Sequence, residues 1–302
     1  MRITELFQTG RPFPSLEIIP PMNGITKDEL LSSIEPLMEF QPRYINVTTH
    51  RDEFQYVRQA DGSFHREVVN SRVSPVAVCA SIQARFPVEV VPHIICGGQS
   101  AHDTDRLLQD FRFMGIDNVM ALRGDSLSGE KRFTPTPDGY LHASELVAAI
   151  KGYDAFCIGV GAYPEKHFEA ANLETDIAFL KQKVDAGADY IITQMFFDNA
   201  VFFRFVELCR AAGITVPIIP GLKPLTTARQ VDLLPEAFFI DIPLPLTEAI
   251  REAGSDTEAV RRIGVDWCIR QCKELMDHGV PAVHFYTMSK SRGVAEVLRS
   301  CF

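Results

Sequence analysis

Eight short apolar runs recur along the chain, and a stretch of helical periodicity follows most of them. The runs are Leu16–Ile19, Tyr44–Thr48, Val90–Ile95, Asn118–Leu122, Phe156–Val160, Tyr190–Gln194, Pro217–Pro220 and Val283–Tyr286. Each is rich in β-branched or aromatic residues and runs into polar residues, Gly or Pro, as strands do where they open into loops. Helices are expected at Lys27–Glu39, Ala101–Phe113, Ser144–Ile150, Asn172–Ala186, Val201–Ala211, Thr227–Leu234, Thr257–His278 and Arg292–Leu298. In the clearest of these, Leu173, Ile177, Leu180 and Val184 share a face, Asn172 can cap the start, and Gly187 stops the end. Gly115, Gly213 and Gly279 stand at equivalent helix-to-strand junctions. Eight strands alternating with helices predict an α/β fold, a single-domain (β/α)8 TIM barrel. An open dinucleotide-binding sheet would need Gly-x-Gly-x-x-Gly after its first strand, and the sequence has none there. Two stretches read as irregular: Arg51–Arg72, a polar segment expected as a long loop on the catalytic side, and Asp241–Asp256.

Composition narrows the choice of partner. Thirty-nine acids against 30 bases give a net charge of −9, which argues against nucleic acid or an anionic membrane. No run approaches the ~18 apolar residues of a spanning helix. Met1 to Gly10 carries Arg2 and Glu5 and does not read as a secretory leader. Seven scattered cysteines without a C-x-x-C pair read as reduced, mostly buried thiols of a cytoplasmic protein, not as a disulfide framework or zinc site.

A barrel of this kind carries its chemistry where the strands end. The polar residues at those ends are Thr48 with Thr49, His93, Arg123-Gly124-Asp125, Tyr163 with His167, Gln194 and Lys290. Glu17 joins them from inside the first run, where alternation sets it opposite Leu16 and Ile18. The helix-covered face must be apolar, so Glu17 is expected to point inward. Among apolar walls its proton affinity would rise, which suits a general acid; an edge-strand position or a buried Arg partner is the alternative. Arg123 could fork onto a phosphate and Gly124 allows close backbone approach, although Arg-Gly-Asp also fits a solvated turn. Asp176, Phe179 and Lys183 share a helix face, as ligand contacts or as an exposed stripe. The histidines show no metal-type spacing. Gln194 offers a donor and an acceptor to a heterocycle, and of Phe196 and Phe197 at least one is expected in the core.

Nine segments, in order, resemble the methylenetetrahydrofolate reductase family. They are Glu17-Ile18-Ile19-Pro20-Pro21, Val47-Thr48, Pro92-His93, Ala121-Leu122-Arg123-Gly124-Asp125, Ala162-Tyr163-Pro164-Glu165 with His167, Lys183-Val184-Asp185-Ala186-Gly187-Ala188, Ile192-Thr193-Gln194 with Phe196-Phe197-Asp198, Ile218-Ile219-Pro220-Gly221, and His284-Phe285-Tyr286-Thr287. The resemblance implies a barrel that binds FAD, is reduced by NADH or NADPH, and passes the hydride to 5,10-methylenetetrahydrofolate. The length matches the short bacterial form, with the catalytic barrel alone, and a homo-oligomer is implied. By residue, the resemblance makes Glu17 the acid that opens the folate imidazolidine ring and Asp125 a charge near flavin and pterin. It assigns Thr48, His93, Arg123, Gly124, Asp125, Ala143, Tyr163, His167, Ala170, Asp176 and Lys183 to FAD, and Gln194, Gln230 and Lys290 to substrate. Thr49, Phe179, Gln182, Leu234 and Lys290 depart from the family's usual residues. A Schiff-base aldolase would need a strand-borne lysine, and the nearest is Lys223, past the seventh run. A flavin- or folate-binding barrel without reductase activity is the other reading.

Overall fold

Parallel pairing closes on itself around eight strands, the first strand of the chain pairing with both the second and the last. A computed structural model describes residues 1–125, 133–288 and 291–302. The barrel strands are β1 (Phe13–Ile18), β2 (Tyr44–Val47), β5 (Glu89–Ile95), β6 (Asn118–Leu122), β7 (Cys157–Ala162), β8 (Tyr190–Met195), β9 (Ile218–Leu222) and β10 (Ala282–Tyr286). Each matches one of the eight runs in the sequence. The remaining two strands, β3 (Glu53–Arg58) and β4 (Phe64–Asn70), form a separate antiparallel hairpin.

The helices are α1 (Ile3–Leu6), α2 (Lys27–Met38), α3 (Pro75–Arg85), α4 (Ala101–Phe113), α5 (Ala143–Lys151), α6 (Leu173–Asp185), α7 (Asn199–Ala211), α8 (Gln230–Phe238), α9 (Leu244–Ala253), α10 (Thr257–Asp277) and α11 (Ser291–Cys301). Their ends follow local chemistry. Thr26 caps α2 and Ser100 caps α4 through reciprocal bonds with Glu29 and Asp103. Asn172 accepts the Thr175 N–H at the start of α6. Gly115, Gly187, Gly213 and Gly279 all turn into positive φ after their helices, as their positions in the sequence imply.

Two expectations are corrected. Arg51–Arg72 is not a plain loop: it holds the β3–β4 hairpin, whose cross-strand pairs include Tyr56 with Arg66. Its polar composition hid the alternation because both faces meet solvent, and Asp61 to Val69 are exposed throughout. Asp241–Asp256 is likewise not irregular, since most of it is α9, which buries Leu246 and Ile250. Pro243 and Pro245 flank its first residue, Leu244, where a missing N–H costs nothing.

The apolar core has three parts. The largest fills the space between strands and helices. A second lies in the barrel interior, where Tyr44, Val91, Met120, Tyr190 and Ile192 meet Ile3 and Leu6 of α1. A third joins Met195 and Phe197 to α8, α9 and α10. Among the described residues α1 packs into the interior cluster, and ligand sites of such barrels lie at the end where the strands stop. The seven cysteines are free thiols, six of them buried.

Candidate active site

Glu17 lies inside the barrel, in register with Asn46 of β2 and Tyr286 of β10. Its side chain is 17% exposed, with Nε2 of His93 at 3.6 Å and Nε2 of His284 at 3.8 Å from Oε2. The inward position matches the sequence reading, but the predicted direction of its pKa does not. Burial pushes the carboxyl up, yet its contact with His284 and the charges of His93, His284 and His50 outweigh burial, and the net shift is down. The walls are imidazoles, not the apolar surfaces that a run of Leu and Ile implied. His93 itself is pushed down to about 4, by burial against the opposing pull of Glu17. Its Nε2 already accepts the Asn46 amide at 3.1 Å. We take His93 as neutral near pH 7, which leaves His284 as the main support of the Glu17 carboxylate.

Around this acid, Thr48 is buried and its hydroxyl meets His50 Nε2 at 2.9 Å, while Thr49 donates to the His93 carbonyl at 2.5 Å. The Tyr286 hydroxyl donates to the Thr193 carbonyl at 2.7 Å, and the Gly221 N–H donates to Thr193 Oγ1 at 3.0 Å. Here the β8–β9 register shifts between Ile192 and Met195. Such a shift re-aims side chains beside a site, and Gln194 lies within it, half-buried, its Oε1 taking the Met195 N–H.

A second group gathers across the mouth. Arg123 pairs with Glu169 and lies 5.1 Å from the Phe133 ring. Gly124 has φ +80°, and a Cβ added there would lie 3.2 Å from Cβ of Ile95; Asp125 beside it is exposed. The Tyr163 ring meets His167 edge-on at 4.7 Å. Burial and the charges of Asp125 and Asp176 push its hydroxyl up to about 12. The His167 N–H donates to Asp176 at 2.8 Å, and the imidazole is pushed down by burial and by Arg123. Lys183 donates to the Gly161 carbonyl at 2.7 Å and is pushed down to about 8, by burial first, with Asp176 opposing and Arg123 adding. The two groups feel each other: His50 senses both Glu17 and Asp125, and Tyr286 senses both Glu17 and Tyr163.

Other sequence candidates fall in varied places. Ala143 is half-buried at the first position of α5, and Ala170 is buried in the turn that Lys166 ties down. Gln230 directs Oε1 to the backbone N–H groups of Thr226 and Thr227, so its oxygen holds its own turn. Phe196 and Phe197 are both core residues. Leu234 is buried within the third core cluster. Phe179 lies half exposed on the helix that carries Asp176 and Lys183. Lys223 is buried just past β9, and Lys290 lies outside the described residues. Sequence reasoning passed over His284, Ser15 and Asn46. Alternation within Val283–Tyr286 sets His284 and Tyr286 on one face and could have flagged them.

A family model described as methylenetetrahydrofolate reductase matches residues 2–301. The chain belongs to the methylenetetrahydrofolate reductase family. It is 31% identical to 5,10-methylenetetrahydrofolate reductase of Escherichia coli, over 92% of this chain and 86% of the relative. It is 30% identical to methylenetetrahydrofolate reductase (NADH) 1 of Arabidopsis thaliana, over 98% of this chain but 49% of that protein. The chain thus spans about half the length of the plant relative it matches. Among solved structures, a protein from Clostridium thermocellum described as binding two copies of 5-methyl-5,6,7,8-tetrahydrofolic acid superposes with a TM-score of 0.66 at 14% identity, over 100% of this chain and 98% of that one. At that identity the likeness shows the fold alone.

Proposed function

We propose that this chain is a single-domain catalytic barrel that reduces 5,10-methylenetetrahydrofolate to 5-methyltetrahydrofolate, with FAD in the mouth and NADH or NADPH as reductant, in the cytoplasm and as a homo-oligomer. The observation that carries this reading is Glu17, a buried carboxylate between two imidazoles at the ligand end of a barrel of this family.

The residues of the second group fit a flavin dinucleotide. Lys183 is a partly buried amine whose Nζ rests on a neutral carbonyl, a site that an anion would improve. Arg123 and His167 lie close by, and Asp176 could take ribose hydroxyls from the same helix face as Lys183. Arg123 would exchange Glu169 for diphosphate. When bound, the flavin supplies the two-electron carrier between nicotinamide and folate.

The chain's own work is orientation and proton supply. A ligand covering Glu17 excludes water, which strengthens the burial effect and raises the proton affinity of the carboxyl toward the value an acid needs. Glu17 then gives its proton to a ring nitrogen of the folate, so that the imidazolidine opens to the N5 iminium. The negative charge of Asp125 favours that cation. Gln194 offers an amide to the pterin or the nicotinamide, and the Gln230 amide and Lys290 belong to the same assignment.

The purified protein should be yellow, NADH or NADPH should bleach it anaerobically, and the folate should restore the colour. Glu17→Gln should bleach normally and lose folate-dependent reoxidation by about 10²- to 10⁴-fold. A protein that cannot be loaded with FAD refutes the reading. One that binds flavin and folate without electron transfer establishes the non-reducing alternative.

A further inference from the structure

Three sulfurs meet where α10 packs against α11, and none of them serves the proposed reduction. Cys268 and Cys272 stand four apart on one face of α10, and both are buried in the largest core cluster. Cys301, at the end of α11, brings its Sγ to 4.0 Å from the Ile269 carbonyl oxygen, within the turn that those two cysteines span. Its thiol also meets that of Cys272, which acts as the proton donor of the pair.

The two sulfurs of the pair are not equivalent. Of the seven thiols, Cys301 alone is not buried. Its proton affinity is lowered, first by the Cys272 thiol, with burial opposing and Lys273 adding. Cys272 is fully buried and is pushed the other way, first by Cys301 and then by burial. Burial likewise pushes up Cys79, Cys96, Cys157, Cys209 and Cys268. A thiolate attacks an oxidant and a thiol does not, and access decides which thiolate the oxidant meets. Cys301 is thus placed to react and Cys272 to follow, as a redox-sensing cysteine stands beside a resolving one.

We propose that Cys301 and Cys272 form a reversible oxidation site, at which a hydroperoxide joins α11 to α10 through a disulfide. The Cys301 thiolate attacks the peroxide: an S–O bond forms, the O–O bond breaks and hydroxide leaves. The Cys272 sulfur then attacks the sulfenic sulfur of Cys301. The S–S bond forms, the S–O bond breaks, and the departing hydroxide takes the Cys272 proton as water. The two thiols together lose two electrons and the peroxide gains them. A dithiol reverses the step by exchange. Cys268, one turn behind Cys272, takes no part. Closing the chain from Cys272 to Cys301 restricts the unfolded state, so the oxidised form is the more stable one.

The test treats the full chain with hydrogen peroxide and reads intact mass, non-reducing peptide maps and thermal unfolding. The wild type should lose the mass of two hydrogen atoms, give a cross-linked peptide pair holding Cys272 and Cys301, and regain its mass with dithiothreitol. Its Tm should rise by about 5 °C on oxidation. Cys301→Ser should form no disulfide. In Cys272→Ser the reaction should stop at the sulfenic acid of Cys301, which dimedone traps. Cys268→Ser should behave as wild type. The proposal is overturned if peroxide leaves the wild type unchanged or adds oxygen without removing hydrogen. It is equally overturned if the cross-link holds Cys268 or joins two chains, or if the oxidised form unfolds no later than the reduced one. Peptide maps of the wild type decide the matter if a variant does not fold. Neither flavin loading nor folate turnover enters these readouts, so failure here leaves the proposed reduction standing, and the converse holds.

Discussion

Gly221→Ala is the sharpest test of how the fold holds the site. A Cβ on Gly221 would lie 2.3 Å from the Thr193 carbonyl oxygen and 2.6 Å from Cε2 of Tyr286. Neither can yield freely. The carbonyl is backbone of β8 at its register shift, and the ring is held by its own hydroxyl on that carbonyl. Overpacking of this kind costs about 1–3 kcal/mol. Displacing Tyr286 adds the loss of a buried hydrogen bond, about 1 kcal/mol. A total near 3 kcal/mol follows as an order of magnitude. With an unfolding entropy of about 2.1 cal/mol/K per residue, each kcal/mol moves the Tm of a chain this long by about 1.6 °C. Gly221→Ala should therefore lower Tm by about 5 °C in thermal unfolding followed by circular dichroism. Tyr286→Phe, which loses the hydrogen bond without the clash, should cost about a third of that. Equal Tm values for Gly221→Ala and wild type would mean that the close approach of β9, Thr193 and Tyr286 is not real, and the placement of Gln194 beside it would fall too.

Two further outcomes follow from displaced proton affinities. Lys183 sits near 8 in the free protein, and an anion bound beside it favours the protonated form. FAD affinity, measured by quenching of flavin fluorescence, should hold below pH 8 and fall above it, and Lys183→Met should bind more weakly and lose that dependence. Glu165 is pushed up to about 7, chiefly by burial, with the Asp241 N–H opposing and the charges of Asp241 and Asp198 adding. Its folded-state value exceeds its ordinary 4.5, so its contribution to stability is complete below pH 4.5 and is lost as pH rises through 7. Glu165→Gln should remove that slope from denaturant unfolding curves and leave the variant more stable than wild type at pH 8; an unchanged slope would place the titrating group elsewhere.

Much of the fold was legible because a parallel barrel strand is apolar on both sides and ends abruptly. All eight runs became barrel strands, and the helix-stopping glycines fell where the left-handed turn requires them. The hairpin at Glu53–Arg58 and Phe64–Asn70 was missed because strands with no core to face lose the alternation by which strands are read. The helix at Leu244–Ala253 was missed because prolines flank its first residue, a position that tolerates them.

By itself, the sequence determined where the strands lie along the chain and that Glu17 faces inward. Those follow from period and polarity, which are local. Only the tertiary structure decided what surrounds the carboxyl. Ser15 and His284 are 269 positions apart, and they meet because β1 and β10 close the barrel against each other. That closure turns the expected apolar walls into imidazoles and reverses the direction of the Glu17 shift. An electrostatic environment is a sum over neighbours in space, and a linear sequence does not order residues by distance.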